Sequence, residues 1–376
     1  MNFDVDDDQQ LLDDSIRRLL RKDYDFDARR EILRSSAGGS DHVWKTFADM
    51  GLLALPIPET YGGFGAGAVK MMGMMECIGE ALVVEPYLST VGLGAQFVSR
   101  WGSDAQKQEV LPAIAQGRLK MAFAQIEDGS RYELGHVATT AAKSAAGWVI
   151  NGEKRVVIDA PASNKLIVSA RTSGDIRDAE GLSLFMVNTA TPGIRLKRYT
   201  TLDGLRAADV TFDNVAVAAD ALLGTQGTGL VMMREVVDFA TALLCAEAVG
   251  AIRSANEATL DYIKNRKQFG VAIGSFQVTQ HRIVDMVMSY EQVKSMACLA
   301  CVQADTAVDA DERSRIISAA KIRVADACRQ VSQDAVQLHG GMGLSDEMKI
   351  SHTFRRLTMI ARQFGDADHH LARFAA

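Results

Sequence analysis

The chain is poor in proline and rich in methionine, with 6 prolines and 16 methionines among 376 residues. Proline interrupts helices, so its scarcity favours a helix-rich protein. Hydrophobic residues make up 48% of the chain, which is enough for a large core. The length is typical of two or three domains.

The sequence lacks the features of a membrane span, of a signal peptide and of a nucleic-acid-binding surface. No apolar run is long enough to span a bilayer, and the acidic segment MNFDVDDDQQLLDD lacks the apolar core of a signal peptide. The net charge is −6 with both signs interspersed, whereas a nucleic-acid-binding protein presents a basic face. We therefore predict neither a membrane span nor binding to nucleic acid.

Cysteine is scarce and scattered. An odd number of cysteines in apolar, helix-like contexts predicts free thiols in a reducing compartment, so we expect a cytoplasmic location. The set is Cys77, Cys245, Cys298, Cys301 and Cys328. The CxxC formed by Cys298 and Cys301 has no second pair and no nearby histidine ligand, and His339, His369 and His370 lack metal-ligand spacing. No metal site is predicted.

The chain divides into three segments by hydrophobic pattern. Residues 1–116 show helical periodicity, residues 117–222 contain short β-rich runs, and residues 223–376 return to long helical patterns. In the middle segment, GWVINGEKRVVI is interpreted as two strands joined by a turn at Asn151-Gly152. The order predicts an α+β fold, mostly α, with an N-terminal helical domain, a middle antiparallel β domain and a C-terminal four-helix domain.

Several motifs, in order along nearly the whole chain, resemble those of the acyl-CoA dehydrogenases. They are MGLLALPIPETYGGFGAG, LPAIAQGRLKMAFAQIED, NRKQFGVAIGSFQVTQHRIVDM and AVQLHGGMGLSDE. The short length and the segments QLHGGMG and FGDADHH are most similar to the small subunit of pimeloyl-CoA-type dehydrogenases. The resemblance implies FAD as cofactor and oxidation of an acyl-CoA thioester to the 2-enoyl-CoA. A carboxylate then removes the α-proton, and a hydride passes from the β-carbon to flavin N5.

The resemblance also implies which residues contact the flavin. The flavin residues of the helical segments match the family's RxxFG and QxxGGxG motifs. In the RxxFG motif of the family, the arginine pairs with the pyrophosphate of FAD held by a neighbouring subunit. Those of the middle segment correspond to positions at the isoalloxazine ring. The full set is Phe123, Gln125, Ile126, Ile158, Arg266, Phe269, Gln277, Gln337, Gly340 and Gly341.

The sequence departs from the family at the flavin ring and at the base. Ile126 and Ile158 stand where threonine hydroxyls usually meet the ring, so backbone N–H groups remain to serve there. Phe364-Gly365-Asp366 replaces the Glu-Gly-Thr loop that carries the base in many members, although the N–H of Phe364 is still suited to bind the thioester oxygen. Ala240 occupies the alternative position of the base.

Glu247 is the one acid in the apolar stretch TALLCAEAVGAI, seven residues beyond Ala240. Seven residues are about two helical turns, so both lie on the same helix face, roughly 10 Å apart. We predict Glu247 as a relocated catalytic base. The alternative is a structural ion pair with an Arg or Lys of a neighbouring helix. Asp366 is a second candidate, for which the alternative is a helix N-cap.

Three functions remain open from the sequence. The first is a dehydrogenase for a bulky or functionalised acyl-CoA, such as dicarboxylic, ring-bearing or sterol side-chain thioesters. The second is a non-catalytic subunit that completes the FAD site of an unlike chain. The third is different chemistry on an acyl-CoA, such as removal of a sulfinate. The resemblance implies electron-transferring flavoprotein as acceptor, and a homotetramer or an α2β2 heterotetramer with a second acyl-CoA dehydrogenase chain.

Overall fold

The computed structural model describes residues 7–376, with side chains from residue 9 onward. The first six residues of the acidic N-terminal segment lie outside the described part. The fold divides into two compact units. The helical unit comprises the chain up to Arg34 together with Gly67–Val83 and Thr241–Ala376, and the β unit comprises Ser35–Ala66 and Val84–Ala240.

Eleven α-helices are present in the described chain. In order they are α1 Asp7–Asp23, α2 Phe26–Arg34, α3 Asp41–Asp49, α4 Ala68–Ala81, α5 Ala95–Trp101, α6 Asp104–Ala115, α7 Gly229–Asn265, α8 Gln277–Thr306, α9 Ala310–His339, α10 Lys349–Ile360 and α11 Ala367–Ala375. The helix-rich prediction and the helical character of the first and third segments are confirmed. The three domain boundaries stay a prediction.

Helices α4 and α7 lie unusually close together in the helical unit. A Cβ added to Gly79 would overlap the carbonyl oxygen of Glu247, and one added to Gly250 would overlap the carbonyl oxygen of Glu76. Glycine at these two positions therefore allows backbone-to-backbone packing of the helices. Gly250 is the residue of TALLCAEAVGAI that allows this contact, and the Glu247 side chain lies buried inside the unit.

The β unit is built on one sheet. Its strands are β1 Met121–Ala124, β2 Thr140–Ser144, β3 Gly147–Ile158, β4 Lys165–Arg171, β5 Leu182–Asn188, β6 Ile194–Thr200, β7 Arg206–Ala218 and β8 Leu222–Leu223. The order is β6-β7-β3-β2-β4-β5-β8, with β1 against β4. Most pairings are antiparallel, but β1–β4 and β2–β4 are parallel, so the sheet is mixed rather than purely antiparallel.

The predicted turn at Asn151-Gly152 is wrong. These residues lie inside β3, at a register shift against β7, and the hairpin turn falls instead between Ser144 and Gly147. Gly152 has φ of +146°, and a Cβ there would lie 2.7 Å from the Cα of Thr139. The glycine allows an irregular strand and a close backbone approach, which is the other common meaning of glycine in a strand pattern.

The sheet's buried face carries the core of the β unit. Trp148 and Ile150 of β3 are buried with Phe185 of β5, and the rings of Trp148 and Phe185 meet edge to face at 5.3 Å. Alternation along β3 points these side chains to one face of the sheet. The register of β3 also fixes the position of the C-terminal end of that strand, which lies beside the segment after β1.

Candidate active site

In the β unit, the end of β1 and the end of β3 come together. The N–H of Arg155 donates to the carbonyl of Ile126 at 2.7 Å, and the Lys154 ammonium lies 3.5 Å from the carbonyl of Gln125. Phe123 stacks at a tilt on Phe97, with ring centroids 4.8 Å apart. The structure therefore places the predicted flavin residues Phe123, Gln125 and Ile126 beside the strand that carries Ile158.

A buried ion pair holds this junction. Lys154 is fully buried, and its ammonium donates to Glu127 at 2.6 Å and to Ser169 at 2.8 Å. Burial lowers the pKa of Lys154 to about 8, although Glu127 opposes the shift. Burial alone would raise the pKa of Glu127, but the charge of Lys154 and the hydrogen bonds that the carboxylate accepts together outweigh it, so the pKa lies below its usual value. The sequence analysis did not identify this pair, although the lysine of NGEK, within strand β3, signals it.

Val156 has a strained backbone at the same junction. Its φ is +49°, a region that β-branched residues rarely occupy, and its side chain is 39% exposed. Its N–H donates to Asp209 at 3.2 Å. The N–H of Val156 is therefore already engaged within the β unit. That backbone N–H groups at Ile126 and Ile158 replace the missing threonine hydroxyls stays a prediction.

The residues of the junction fit a bound dinucleotide. The side-chain oxygen of Gln125 is buried and has no hydrogen-bond partner among the described residues. Buried polar groups are nearly always paired, so this amide oxygen is available to accept from a group outside the chain. Ile126 and Ile158, which are predicted to face the flavin ring, have apolar side chains and offer no side-chain hydrogen bond.

In the helical unit, the RxxFG motif forms a small hairpin. Strands β9 Lys267–Gln268 and β10 Val271–Ala272 pair antiparallel directly after Arg266. The tip consists of Phe269 and Gly270, with φ of +54° and +83°, as a two-residue type I′ turn requires. Phe269 is 92% exposed at this tip.

The QxxGGxG motif lies close to this hairpin within the same unit. Tyr262, near the end of α7, stacks on His339 at the end of α9 with ring centroids 4.3 Å apart. Burial lowers the pKa of His339, which fits the neutral ring that donates from Nδ1 to the carbonyl of Ala335 at 2.8 Å. The stack holds the helix ends that carry Arg266 and Gln337 together.

The glycine turn itself is open. Gly340 has φ of +62°, its N–H donates to the carbonyl of Gln337, and a Cβ added to Gly340 or Gly341 would meet nothing within 4 Å. Gln277 begins α8 after the hairpin. The predicted flavin residues therefore form two groups, one within each unit, and their contact with the cofactor stays a prediction.

Glu247 forms an ion pair inside the helical unit. Only 2% of the residue is exposed, and its two carboxylate oxygens accept from Arg356 of α10, from Nε at 2.6 Å and from Nη2 at 2.8 Å. Arg356 is itself only 7% exposed. This contact is the structural ion pair that the sequence left as the alternative. The catalytic assignment of Glu247 stays a prediction, because the pair does not report on turnover.

The loop that replaces the family's base loop is also firmly held. Asp366 caps α11, since its side chain accepts from the N–H of His369 at 3.0 Å, as the alternative for this residue predicts. Phe364 has φ of +61°. Fully buried Lys321 donates to the carbonyl of Gly365 at 2.8 Å. The sequence analysis did not single out Lys321, because the stretch SAAKIRVA also contains Arg323 and so resembles an ordinary helix with charged residues.

Among the described residues, no cluster of histidine, cysteine and acidic side chains is arranged to hold a metal ion. Over the same residues, every helix is either too short or too polar to cross a bilayer.

Three family models match successive parts of the chain. The N-terminal domain of acyl-CoA dehydrogenases matches residues 6–118, the middle domain residues 122–215 and the C-terminal domain residues 227–375. The matches follow the order helical, β, helical that the structure shows.

The chain is also similar to individual known proteins along nearly its whole length. The chain is 28% identical to a 3-(aryl)acrylate reductase of Clostridium sporogenes over 94% of each chain. It is 26% identical to PigA, solved as an FAD complex, with a TM-score of 0.90 over 100% of this chain and 98% of the other. A variant of the steroid ACAD Tcur3481-Tcur3483 is 25% identical, with a TM-score of 0.87 over 98% and 96%.

The predicted cofactor agrees with the FAD complex of PigA. The domain matches, the fold and the relatives together identify the chain as an oxidoreductase, and it belongs to the acyl-CoA dehydrogenase family.

Proposed function

We propose that this chain binds FAD and oxidises an acyl thioester to the 2-enoyl thioester. The observation that carries the proposal is the orphaned Gln125 side-chain oxygen at a junction braced by Lys154 and Glu127. FAD, when bound, supplies the redox chemistry by accepting a hydride from the β-carbon. The chain itself holds the cofactor, orients the thioester and removes the α-proton.

The thioester oxygen gains negative charge as the α-proton leaves, and a positioned N–H stabilises that charge. Phe364 is suited to this role, because its backbone N–H donates to no group among the described residues. Phe364 also lies in the segment that replaces the family's base loop. We therefore assign its N–H to binding the thioester oxygen.

For the base, we retain Glu247 as the hypothesis to be tested. Each carboxylate oxygen of Glu247 accepts one hydrogen bond from Arg356 and keeps a second lone pair on which it can take the α-proton. The same pair favours the second candidate function, a non-catalytic subunit that completes the FAD site of an unlike chain. In that case Arg266 and the exposed Phe269 of the hairpin serve a partner's FAD.

The substrate is proposed to be bulky or functionalised. The names of similar proteins support this: a 3-(aryl)acrylate reductase and a steroid ACAD. The steroid ACAD is named as the pair Tcur3481-Tcur3483, which supports an α2β2 assembly as the alternative to a homotetramer. Electron-transferring flavoprotein as acceptor, the likeness to pimeloyl-CoA-type small subunits and a cytoplasmic location stay predictions.

The first experiment is the visible spectrum of the chain purified alone, before and after anaerobic addition of straight-chain, dicarboxylic, aryl and sterol side-chain CoA thioesters. A yellow protein with near-stoichiometric flavin that bleaches with one of them supports the dehydrogenase. A colourless or inert protein, which regains both properties only when co-expressed with a second acyl-CoA dehydrogenase chain, supports the partner subunit. If co-expression changes nothing, both proposals fail.

The base is tested with Glu247→Gln, Arg356→Met and the double variant Glu247→Met/Arg356→Met. If Glu247 is the base, Glu247→Gln retains flavin and loses turnover, and so does the double variant. If the pair is structural, each single change lowers stability by about 3–5 kcal/mol, since it leaves a buried group unpaired, and the double variant recovers much of the loss and turns over. Turnover by the double variant rejects Glu247 as the base.

A further inference from the structure

The Phe364-Gly365 segment is held by side chains that come from two different helices. The Lys321 ammonium of α9 donates to the carbonyl of Gly365 at 2.8 Å and to that of Ala361 at 3.3 Å. His370 of α11 lies 3.2 Å from the carbonyl of Phe364 through Nε2. Consecutive carbonyls of one short segment are thus bonded by two separate buried side chains.

The tautomer of His370 follows from its partners. A carbonyl only accepts, so Nε2 carries the proton and donates to Phe364, and Nδ1 accepts from the hydroxyl of Ser318 at 3.1 Å. Ser318 and His370 are both fully buried. Burial and the nearby charge of Lys321 lower the pKa of His370 to about 2, so the ring is neutral across the working pH range.

Among the described residues, the Lys321 ammonium has no hydrogen bond to a carboxylate. Its hydrogen bonds go instead to two backbone carbonyl oxygens, those of Ala361 and Gly365. Burying an ammonium is costly, and two neutral acceptors recover less of that cost than a carboxylate does. We expect such an arrangement where the position of the bonded backbone matters more than the stability of the helices around the lysine.

The backbone of the Phe364-Gly365 segment is strained, so it needs contacts that hold it in place. Phe364 has φ of +61°, and Gly365 has φ of +128°. A Cβ on Gly365 would lie 2.6 Å from Nε2 of His370, so only glycine lets the chain pass the imidazole. A non-glycine residue in the left-handed region is strained and persists only when its surroundings enforce it.

We propose that Lys321, His370 and Ser318 form a carbonyl clamp that holds Phe364 in the left-handed conformation and so presents its N–H to the thioester oxygen. These three are positioning residues, because they act through the backbone of Phe364. The inference rests on the proposed function of that N–H. The physical reason is that a hydrogen-bond donor stabilises developing charge only if its direction is set beforehand.

The clamp is tested in the FAD-loaded, assembled protein with Lys321→Met, which removes the donor at similar length, and Ser318→Ala, a milder change that removes the hydroxyl on Nδ1. The matched control is Lys349→Met, since Lys349 of α10 also donates to a backbone carbonyl, that of Glu80 at 2.7 Å. Two quantities are measured: amide hydrogen exchange over residues 361–371 without substrate, and kcat and KM with the most active CoA thioester of the panel.

In Lys321→Met, we expect the amide hydrogens of residues 361–371 to exchange at least about tenfold faster. We also expect kcat to fall by about tenfold or more at unchanged flavin content, because an N–H that points away from the thioester oxygen no longer stabilises its charge. Ser318→Ala should shift both in the same direction by less, and Lys349→Met neither. If Lys321→Met does not fold, Ser318→Ala decides the matter by the same two measurements.

Unchanged exchange in both clamp variants overturns the clamp. Faster exchange with wild-type kcat overturns its positioning role. A wild-type holoprotein that no thioester reduces rejects the proposed function instead and, with it, the presentation of the N–H to a thioester. The exchange data, recorded without substrate, separate that failure from a failure of the clamp to hold the loop.

Discussion

At the scale of single residues, the helical unit contains charged groups in two arrangements. Glu247 meets an opposite charge in a two-bonded pair, whereas Lys321 is bonded to backbone carbonyls. In the first arrangement, a partner of opposite charge replaces the water around the charged group. The second exchanges water for two dipoles, which makes the lysine the more costly of the two and the better candidate for a functional constraint.

The cysteines provide a residue-scale prediction. Cys245, Cys301 and Cys328 are fully buried, and burial raises the pKa of Cys245 and Cys328 to about 12 and that of Cys301 well above its usual value. Burial likewise raises the pKa of Cys77 to about 12. Only thiolates react readily, so these thiols should be inert in the folded protein.

With Ellman's reagent at neutral pH, we expect slow modification of the partly exposed Cys298 alone in the native protein, and of five thiols after denaturation. The control is Cys298→Ser, which should leave native protein unreactive. Rapid native reaction of two or more thiols would contradict the burial of the set, and a disulfide within the CxxC would lower the count in denaturant.

At the scale of elements, helix contact in the helical unit depends on glycine. The backbones of α4 and α7 approach so closely that Gly250 faces the carbonyl oxygen of Glu76 without room for a methyl group. A side chain at this position has to separate the helices, because a backbone carbonyl does not turn aside as a flexible side chain does.

We expect Gly250→Ala to lower stability by about 1–3 kcal/mol through overpacking, despite the better helix propensity of alanine. The matched control is Gly73→Ala in α4, where the three atoms nearest to the added methyl all belong to the Asp13 side chain rather than to a backbone. Thermal unfolding of the two holoproteins should show a midpoint several degrees lower for Gly250→Ala than for Gly73→Ala. Equal midpoints would contradict the close packing of α4 on α7.

At the element scale, prediction from sequence worked where a pattern had one physical meaning. The glycine pair at Gly340 ends α9 as predicted, because a helix that stops in the left-handed region favours glycine. Asn151-Gly152 has two meanings, a turn or a strand irregularity, and the choice between them depends on how β3 pairs with β7. That pairing is non-local, so the local pattern led to the wrong turn.

At the scale of the whole molecule, stability should depend on pH through buried neutral histidine. The pKa of His370 is lowered from 6.5 to about 2, chiefly by burial. Below pH 6.5 the unfolded chain binds a proton that the folded chain does not, so stability is fully present above this pH and falls as the pH decreases. The slope contributed by one such group is at most about 1.4 kcal/mol per pH unit.

The thermal midpoint of the wild type should therefore fall more steeply between pH 6.5 and 4.5 than that of His370→Gln, which removes the titrating ring and keeps a donor. His339 and His352 also have lowered pKa values, caused mainly by burial, and they remain in both proteins. The difference between the two curves isolates His370. Parallel curves would show that the ring is protonated in the folded protein.

The sequence by itself determined the helical and β segments, the family and the residues suspected of function, because periodicity, glycine stops and motif order are properties of neighbouring positions. It also singled out Glu247 as an acid in an apolar helix. Only the tertiary structure decided what that acid meets, since Arg356 stands 109 positions away on α10. The carbonyl clamp was hidden for the same reason: Lys321 and Gly365 are 44 positions apart, and backbone carbonyls leave no mark in a sequence. Contacts between distant side chains and backbone depend on packing, and packing is decided by the whole fold rather than by any local pattern.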